Sequence, residues 1–583
     1  MSLSDEDYTQ LAQEIPSPNE PFLRQFIAGS VRLQDQEFAL RADTGFRNSL
    51  SPLARRAAAI VTKIRERENE TVWTGQQALG TPFVLAKPLL ETTDLWRIIR
   101  RLPKGGVLNA NLSSMVDIDW LLDVLFKTPG MHISADAPLD SSTALEGATV
   151  KFGFRQTETS EASVWTSGYV PGTWRGLKKA AHEFNDGGEF AFRNWLRTQC
   201  VISKGSVEQH ASHQVIWKRL GRCFEITESI LSYEPIFRAF LRHLMSTLHA
   251  ENVNWIELRV TLGLGYCRQS REAPETDYDH MYHVIDEELA RFKSEASHAS
   301  FWGLRLIWTS NRALPRRALI QDMDNCLTTK LTYPSLIAGY DVCGRREDAG
   351  RSLKDLLPEL FWFKKQCAQE RVEVPFLFHA GEVLAAGGIL ADEDLYDAIL
   401  LGTRRLGSAQ ELHRHPLLVD LVKEKRILIE TSPFSSELLR LSELDRTNPL
   451  PALIARGVPC SLGSDCPAAL GGAGAIGPSH DYWKLLQGWG GLGLEGLGAL
   501  AENGVRWAAF EDEDAKAWGA GVREASLGRG IKAQRLKQWA TAWEEFCLWI
   551  VTEYGDELGD EPGGIQGRSL DIEADRGKGK AEP

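Results

Sequence analysis

The chain has 583 residues, with 66 Lys and Arg against 79 Asp and Glu, a formal net charge of −13. So acidic a balance offers no field for neutralising phosphates, which excludes nucleic acid as a partner. Hydrophobic residues at 43% and charged residues at 25% exclude a chain that is disordered throughout. At roughly 150 residues per domain the length predicts about four domains, although α/β barrels run longer as single units.

In chain order, residues 1–20 are acidic and polar, lack the pattern of a signal peptide, and are predicted to be disordered. Residues 21–100 read as an N-terminal helical arm, with a basic, Ala-rich amphipathic stretch from Arg55 to Arg67. The Ser-, Thr- and Gly-rich stretch 135–171 is expected to cross the surface as a long connection, and helices follow around 187–199 and 233–250. Eight short β-like runs, at 105–112, 255–262, 302–309, 335–341, 375–380, 402–407, 427–432 and 458–465, are separated by spacers of helix length. Buried, non-alternating strands between helices predict a parallel sheet. Eight such units predict a closed (β/α)₈ barrel of the TIM type over 101–554, with an open doubly wound sheet as the alternative on periodicity alone. Residues 268–299 read as a charged insertion outside the barrel, with a helix after Asp279. A terminal helix over 533–554 presents an aromatic face expected to be core packing, and 555–583 reads as a disordered tail.

Nine cysteines without regular spacing or a CxxC pair predict reduced thiols rather than a disulfide framework or a thiolate zinc site. No apolar run approaches the ~20 residues of a membrane span. A cytoplasmic protein with no membrane partner is the expectation.

In a barrel of this kind chemistry sits at the C-terminal ends of the strands. The fifth run ends in Phe378-His379-Ala380-Gly381-Glu382, where the His and Glu supply a metal ligand and a proton donor to one cavity. The eighth ends in Ser464-Asp465-Cys466-Pro467, with an Asp placed as a ligand. On spacing alone the plainer reading prevails: a hydrogen-bonded turn Asp, and a His capping the sheet edge.

The text LPKGGVLNANLSSMVD (102–117), YEPIFRAFLRHL (233–244), FLFHAGEVL (376–384), LLGTRRLGSAQELHRH (400–415), ILIETSPFSSELLRL (427–441) and PLPALIARGVPCSLGSDCPAAL (449–470) goes further. In that order it resembles the adenosine deaminase-related growth factor family, its filamentous-fungal branch above all, within the metal-dependent amidohydrolase barrels. The resemblance covers about residues 85–555. It implies hydrolysis of adenosine to inosine at a single zinc, which lowers the pKa of a bound water. It also implies an HxH pair and the His of HAGE as ligands, the HAGE Glu as proton donor, and the His of a GHG motif on the water. The first Asp of a tandem pair completes the ligands, and the second reads the purine.

Carried over residue by residue, His379 matches the third ligand, Asp465 the Asp ligand, Glu382 the proton donor and Gly344 a backbone position lining the nucleoside pocket. The remaining positions depart from the pattern. The HxH pair is Asn109-Ala110-Asn111, the Asp shortly after it is Ser113, the water-handling His is Ser408, and the second Asp is Cys466. His379 and Asp465 are then remnant ligands, and no cofactor is expected. The resulting reading is an adenosine deaminase-like protein, catalytically impaired or inactive and retained to bind a nucleoside or to act as a scaffold. An active zinc adenosine deaminase is the alternative. Adenosine or another purine nucleoside is the expected partner, with a homodimer formed through the N-terminal helices.

Overall fold

The structure, a computed structural model, describes residues 4–17, 19–73, 83–147, 149–184, 187–202, 213–261, 265–344, 351–381, 393–439, 448–468 and 477–558. Eight parallel strands form its centre: β1 (Gly105–Asn111), β2 (Val253–Val260), β3 (Gly303–Asn311), β4 (Ile337–Cys343), β5 (His379–Ala380), β6 (Arg405–Ser408), β7 (Leu428–Thr431) and β8 (Cys460–Leu462). They pair in chain order as two four-stranded sheets, β1 to β4 and β5 to β8. Isolated parallel bridges close both seams, Tyr340 with Phe376 on one side and Ala110 with Ser464 on the other. The closed barrel predicted from the spacing is therefore present, and the open sheet is not. Apolar runs such as WIEL and GLRLIW form these strands because helices cover their outer faces and side chains fill the interior.

Four expectations are corrected. Residues 5–14, predicted to be disordered, form α1 (Asp5–Glu14), started by Ser4, whose hydroxyl accepts the Asp7 amide as an N-cap. The expected arm divides. In α2 (Pro21–Ala39) no residue is buried, whereas α3 (Pro52–Thr71) inserts Ala54, Ala57, Ile60, Val61 and Ile64 into the core. The stretch 135–171 is no plain connection. Val150–Phe154 pairs antiparallel with Met131–Ala135, which also pairs with Arg175–Gly176. Next, α4 (His213–Leu231) leads into the helix Glu234–Ala250. The charged segment 268–299 lies in the β2-to-β3 crossover. Its helix, α5 (Asp279–Ser294), buries Met281, Tyr282, Ile285 and Phe292, and its charges form the outer face.

Three further helices finish the wall: α6 (Ser479–Gly488), α7 (Gly493–Arg506) and α8 (Ile531–Tyr554). The backbones of α7 and β1 touch at a glycine pair, where a Cβ on Gly106 or Gly504 would lie 2.8 or 2.7 Å from the other's carbonyl oxygen. The aromatic face of α8 is core packing, as expected: Trp539 and Trp543 are buried, and the Trp539 indole donates to the Pro103 carbonyl at 2.8 Å. No helix among the described residues is long and apolar enough to cross a membrane.

Candidate functional site

A chain of buried charges runs up the barrel interior. At the lower end the Glu257 carboxylate accepts from the Ala509 amide at 2.7 Å and from Arg405 at 2.6 Å. Arg405 also donates to Glu430 at 2.6 Å, and Glu430 accepts from Arg259 at 2.7 Å. Arg259 then reaches Asp341 at 2.6 Å, and Asp341 accepts from the His379 ring at 2.7 Å. Two guanidinium groups thus offset three carboxylates in a region that water does not reach, and each charge is hydrogen-bonded. Burial pushes the Asp341 carboxyl upward, but the neighbouring Arg259 and His379 outweigh it and hold the group well below the usual carboxylate range.

This ladder ends at the C-terminal mouth of the barrel. Asp341 takes both the amide of His379, at 2.9 Å, and its Nδ1, which fixes the orientation of the ring. The ring lies against Gly407, where a Cβ would come within 2.5 Å of it, which explains a glycine in β6. Asp465 is coupled electrostatically to His379 and Arg259; burial raises its carboxyl despite both. Asn109 joins the same cluster, its side-chain oxygen accepting from Arg259 Nε at 2.7 Å. Asn109, His379 and Asp465 are therefore brought together, with Ser408 beside Ala380 in the strand register. Asn111 lies half-buried at the tip of β1.

Other sequence-derived candidates lie elsewhere. Ser113 turns to the α4 residue Glu228, donating to its carboxyl at 2.7 Å. Gly344 is exposed just beyond β4, with a φ of +102° that suits glycine and an Asn311 side-chain oxygen 3.0 Å from where a Cβ would sit. Cys466, implied by the resemblance to face a purine, instead belongs to an apolar cluster with Ile202, Leu439 and the α4 residues Ile216, Leu220 and Cys223. Glu382 lies outside the described residues. Ser408 and Ala409, in the place of the GHG motif, adopt φ values of +68° and +42°. A left-handed alanine costs about 1 kcal/mol or more that glycine would not.

The α6 helix brings a further pair of buried groups to this end. Burial holds the His480 imidazole down to about 3, and the Phe434 ring packs edge-on against it at 4.1 Å. Burial, with Asp465 nearby, pushes the Asp481 carboxyl up to about 7 despite the Phe434 amide donating to it. A carboxyl raised above its unfolded value contributes stability below about pH 4 and loses that contribution as pH rises through about 7. We expect Asp481→Asn, which keeps an acceptor for Phe434, to gain on the parent by on the order of 4 kcal/mol between pH 4 and pH 7. Paired thermal melts across that range check it, and a pH-independent difference contradicts it.

Of the described residues at this mouth, His379 and Asp465 are of zinc-donor type and Asn109 is an amide. Among the described residues no group of three or more His, Cys, Asp or Glu is placed to hold a metal ion. An amide oxygen is a weak zinc ligand, and a cation on the Asn109 oxygen would also meet the Arg259 guanidinium already hydrogen-bonded there. Sequence reasoning missed Glu257, Arg259, Asp341, Arg405 and Glu430. Their signal was present: isolated charges inside short apolar strands, which only an interior network explains. Glu228 carried no such signal.

A closed parallel (β/α)₈ barrel with a carboxylate-supported His on β5 and an Asp after β8 is the framework of the metal-dependent hydrolase class. The chain belongs to the adenosine deaminase family, whose profile matches residues 198–524. It is similar to adenosine deaminase 2 of Sus scrofa, with 29% identity over 472 residues covering 79% of this chain and 86% of that one. Adenosine deaminase 2 of Homo sapiens is 24% identical over 473 residues, covering 81% and 83%. Among solved structures, an adenine deaminase from Arthrobacter aurescens superposes with a TM-score of 0.46 at 14% identity, covering 75% of this chain and 99% of that one.

Proposed function

We propose that this family member has lost zinc hydrolysis, takes no cofactor, and is retained as a nucleoside-binding or scaffold protein. Asn109 carries the reading. At the first position of the family's HxH pair it offers an amide oxygen already engaged by Arg259 at 2.7 Å. Asn111 adds no better ligand, Ser408 is no base near neutral pH, and Cys466 gives no carboxylate to a purine. The relatives' names, adenosine deaminase 2, favour adenosine or a similar purine nucleoside as the ligand. A second reading, an active zinc deaminase converting adenosine to inosine, draws on Asp341 and His379, the carboxylate–histidine support that zinc sites use.

Zinc content and inosine formation of the purified full chain separate the two. The expected result is zinc far below one equivalent and no inosine above the uncatalysed background. Stoichiometric zinc with chelator-sensitive turnover overturns the first reading. Thermal-shift titration with adenosine then separates binder from scaffold, since no shift at millimolar ligand leaves only the scaffold. A cytoplasmic location is supported by nine cysteines that are all free thiols.

The dimer rests on α2. Phe22, Phe26 and Leu33 lie along one line of the helix and Ile27, Val31 and Phe38 along another, all exposed. Ten exposed large apolar side chains over 8–40, on α1, α2 and their ends, exceed what a soluble helical arm carries without covering them. A second copy of the same arm covers them by isologous pairing. Phe26→Glu with Leu33→Glu is expected to convert a dimer to a monomer in light scattering after size exclusion, with the melting temperature of the barrel little changed. A parent that is monomeric at tens of micromolar removes the proposal.

A further inference from the structure

The helix α6 is enclosed on nearly every side, yet its sequence, SHDYWKLLQG, is not that of an apolar helix. Eight of its ten residues are buried, Ser479, His480, Asp481 and Gln487 among them. A helix covered all round is normally apolar all round, because each polar side chain it buries needs a partner. It also starts on Pro478 without a side-chain cap.

On one side α6 forms a seam with α3. The Trp73 and Trp483 rings pack 5.1 Å apart, and Arg65 donates to the Gln487 carbonyl at 3.1 Å. Arg65, Asn69 and Trp73, the last just past the end of α3, follow one another at four-residue spacing, as do Trp483 and Gln487. Each set therefore lies along one side of its helix. Among the described residues, Arg65 Nε, Asn69 Oδ1, Trp73 Nε1, Trp483 Nε1 and both side-chain amide atoms of Gln487 are buried without a hydrogen-bond partner. Gln487 is 1% exposed, and turning its amide over changes nothing, since oxygen and nitrogen are both open. Donors and acceptors thus stand unpaired along one contact, each carrying the desolvation cost of a buried polar group. Admitting water to the seam gives all of them partners.

The other side of α6 is tied to the mouth of the barrel. Asp481 accepts the Phe434 amide at 2.8 Å, and the Phe434 ring meets His480 edge-on. Phe434 packs in turn on the apolar cluster that holds Cys466. Only apolar contacts, through residues such as Tyr482, Leu485 and Leu486, favour the docked helix without a polar cost. Segments whose polar groups are better served by water supply the low-energy openings of a fold.

We infer that α6 is a gate. It undocks from α3 as a unit, water enters the seam, and the loss of its hold on Phe434 opens a path to Cys466 and the mouth. The gate works in this way whether the mouth holds a nucleoside or nothing.

Hydrogen exchange of the full chain, read by mass spectrometry, tests the opening, and native-state labelling of Cys466 by N-ethylmaleimide tests the path. In the parent the α6 amides are expected to exchange about tenfold faster or more than those of the helix Ile118–Lys127, which has the same length, a capped start and an apolar buried side. Gln487→Leu replaces the open amide by an apolar group of similar size. It is expected to raise the melting temperature and to slow both α6 exchange and Cys466 labelling by about tenfold. Trp73→Phe, which removes one open indole N–H and keeps a ring, is expected to act in the same direction. The gate is overturned if α6 exchanges no faster than the reference helix, or if both variants melt lower than the parent or leave its exchange unchanged. It is equally overturned if exchange slows while Cys466 labelling does not, because α6 then moves without opening the mouth.

Discussion

Asn109→His, Asn111→His and Ser408→His introduced together are expected to give a protein that purifies with close to one equivalent of zinc, where the parent carries little. Two of the four ligands the family pattern requires are already in place. His379 is held by Asp341 through Nδ1, and Asp465 lies near it past the end of the eighth strand. Loss of an outer partner alone costs zinc sites ~10–100-fold in affinity, so restoring two direct imidazoles is expected to return more than that. Cys466 is deliberately left unchanged. It is buried in an apolar cluster, where a carboxylate would be desolvated without a partner, so Cys466→Asp would confuse lost folding with lost binding. Elemental analysis after dialysis against micromolar zinc reads the outcome directly. A folded triple variant that still excludes zinc would mean the Arg259 guanidinium, and not the missing imidazoles, decides the chemistry of this mouth.

The sequence made the frame legible because burial on both faces writes itself as short apolar runs. The run read at 255–262 lies at Val253–Val260, and the one read at 302–309 at Gly303–Asn311. Composition misled where a helix is solvated on one side. The charges of 268–299 hid the apolar stripe through Met281, Ile285 and Phe292 that docks α5 as a barrel helix. His379 and Asp465 were legible because they stand at strand ends, where the barrel places chemistry. Their supports were not, because pairings such as Arg259 with Glu430 join residues far apart in sequence. Cys466 and Glu228 mark the limit. The first is assigned a substrate-facing role by its place in a motif, and only packing moves it among apolar neighbours. The second is one acidic residue on an amphipathic helix, and only the fold gives it Ser113.

The ladder itself makes the other large prediction. Arg259 donates to Asn109, Asp341, Glu430 and the Leu377 carbonyl, and it is 2% exposed. Arg259→Met keeps most of the volume and removes the charge, leaving the Asp341 and Glu430 carboxylates facing a thioether in the core. Breaking a buried pair by deleting one partner costs about 3–5 kcal/mol, chiefly because the stranded charge has no solvent. At ~2–4 °C per kcal/mol the melting temperature is expected to fall by on the order of 10 °C. The loss is also expected to depend on pH. Asp341 sits below its unfolded value in the parent, so it adds stability above about pH 4 that disappears as pH falls through its folded value. The gap between parent and variant should accordingly narrow from pH 7 toward pH 3. Adding Glu430→Gln to Arg259→Met removes one of the two carboxylates that lose Arg259, the one that still keeps Arg405, and the pair should lose less than the sum of the single losses, by ~0.5–3 kcal/mol. Strict additivity, or a gap that does not change with pH, would show that Arg259 acts by packing, and that His379 is held at the mouth without the charges beneath it.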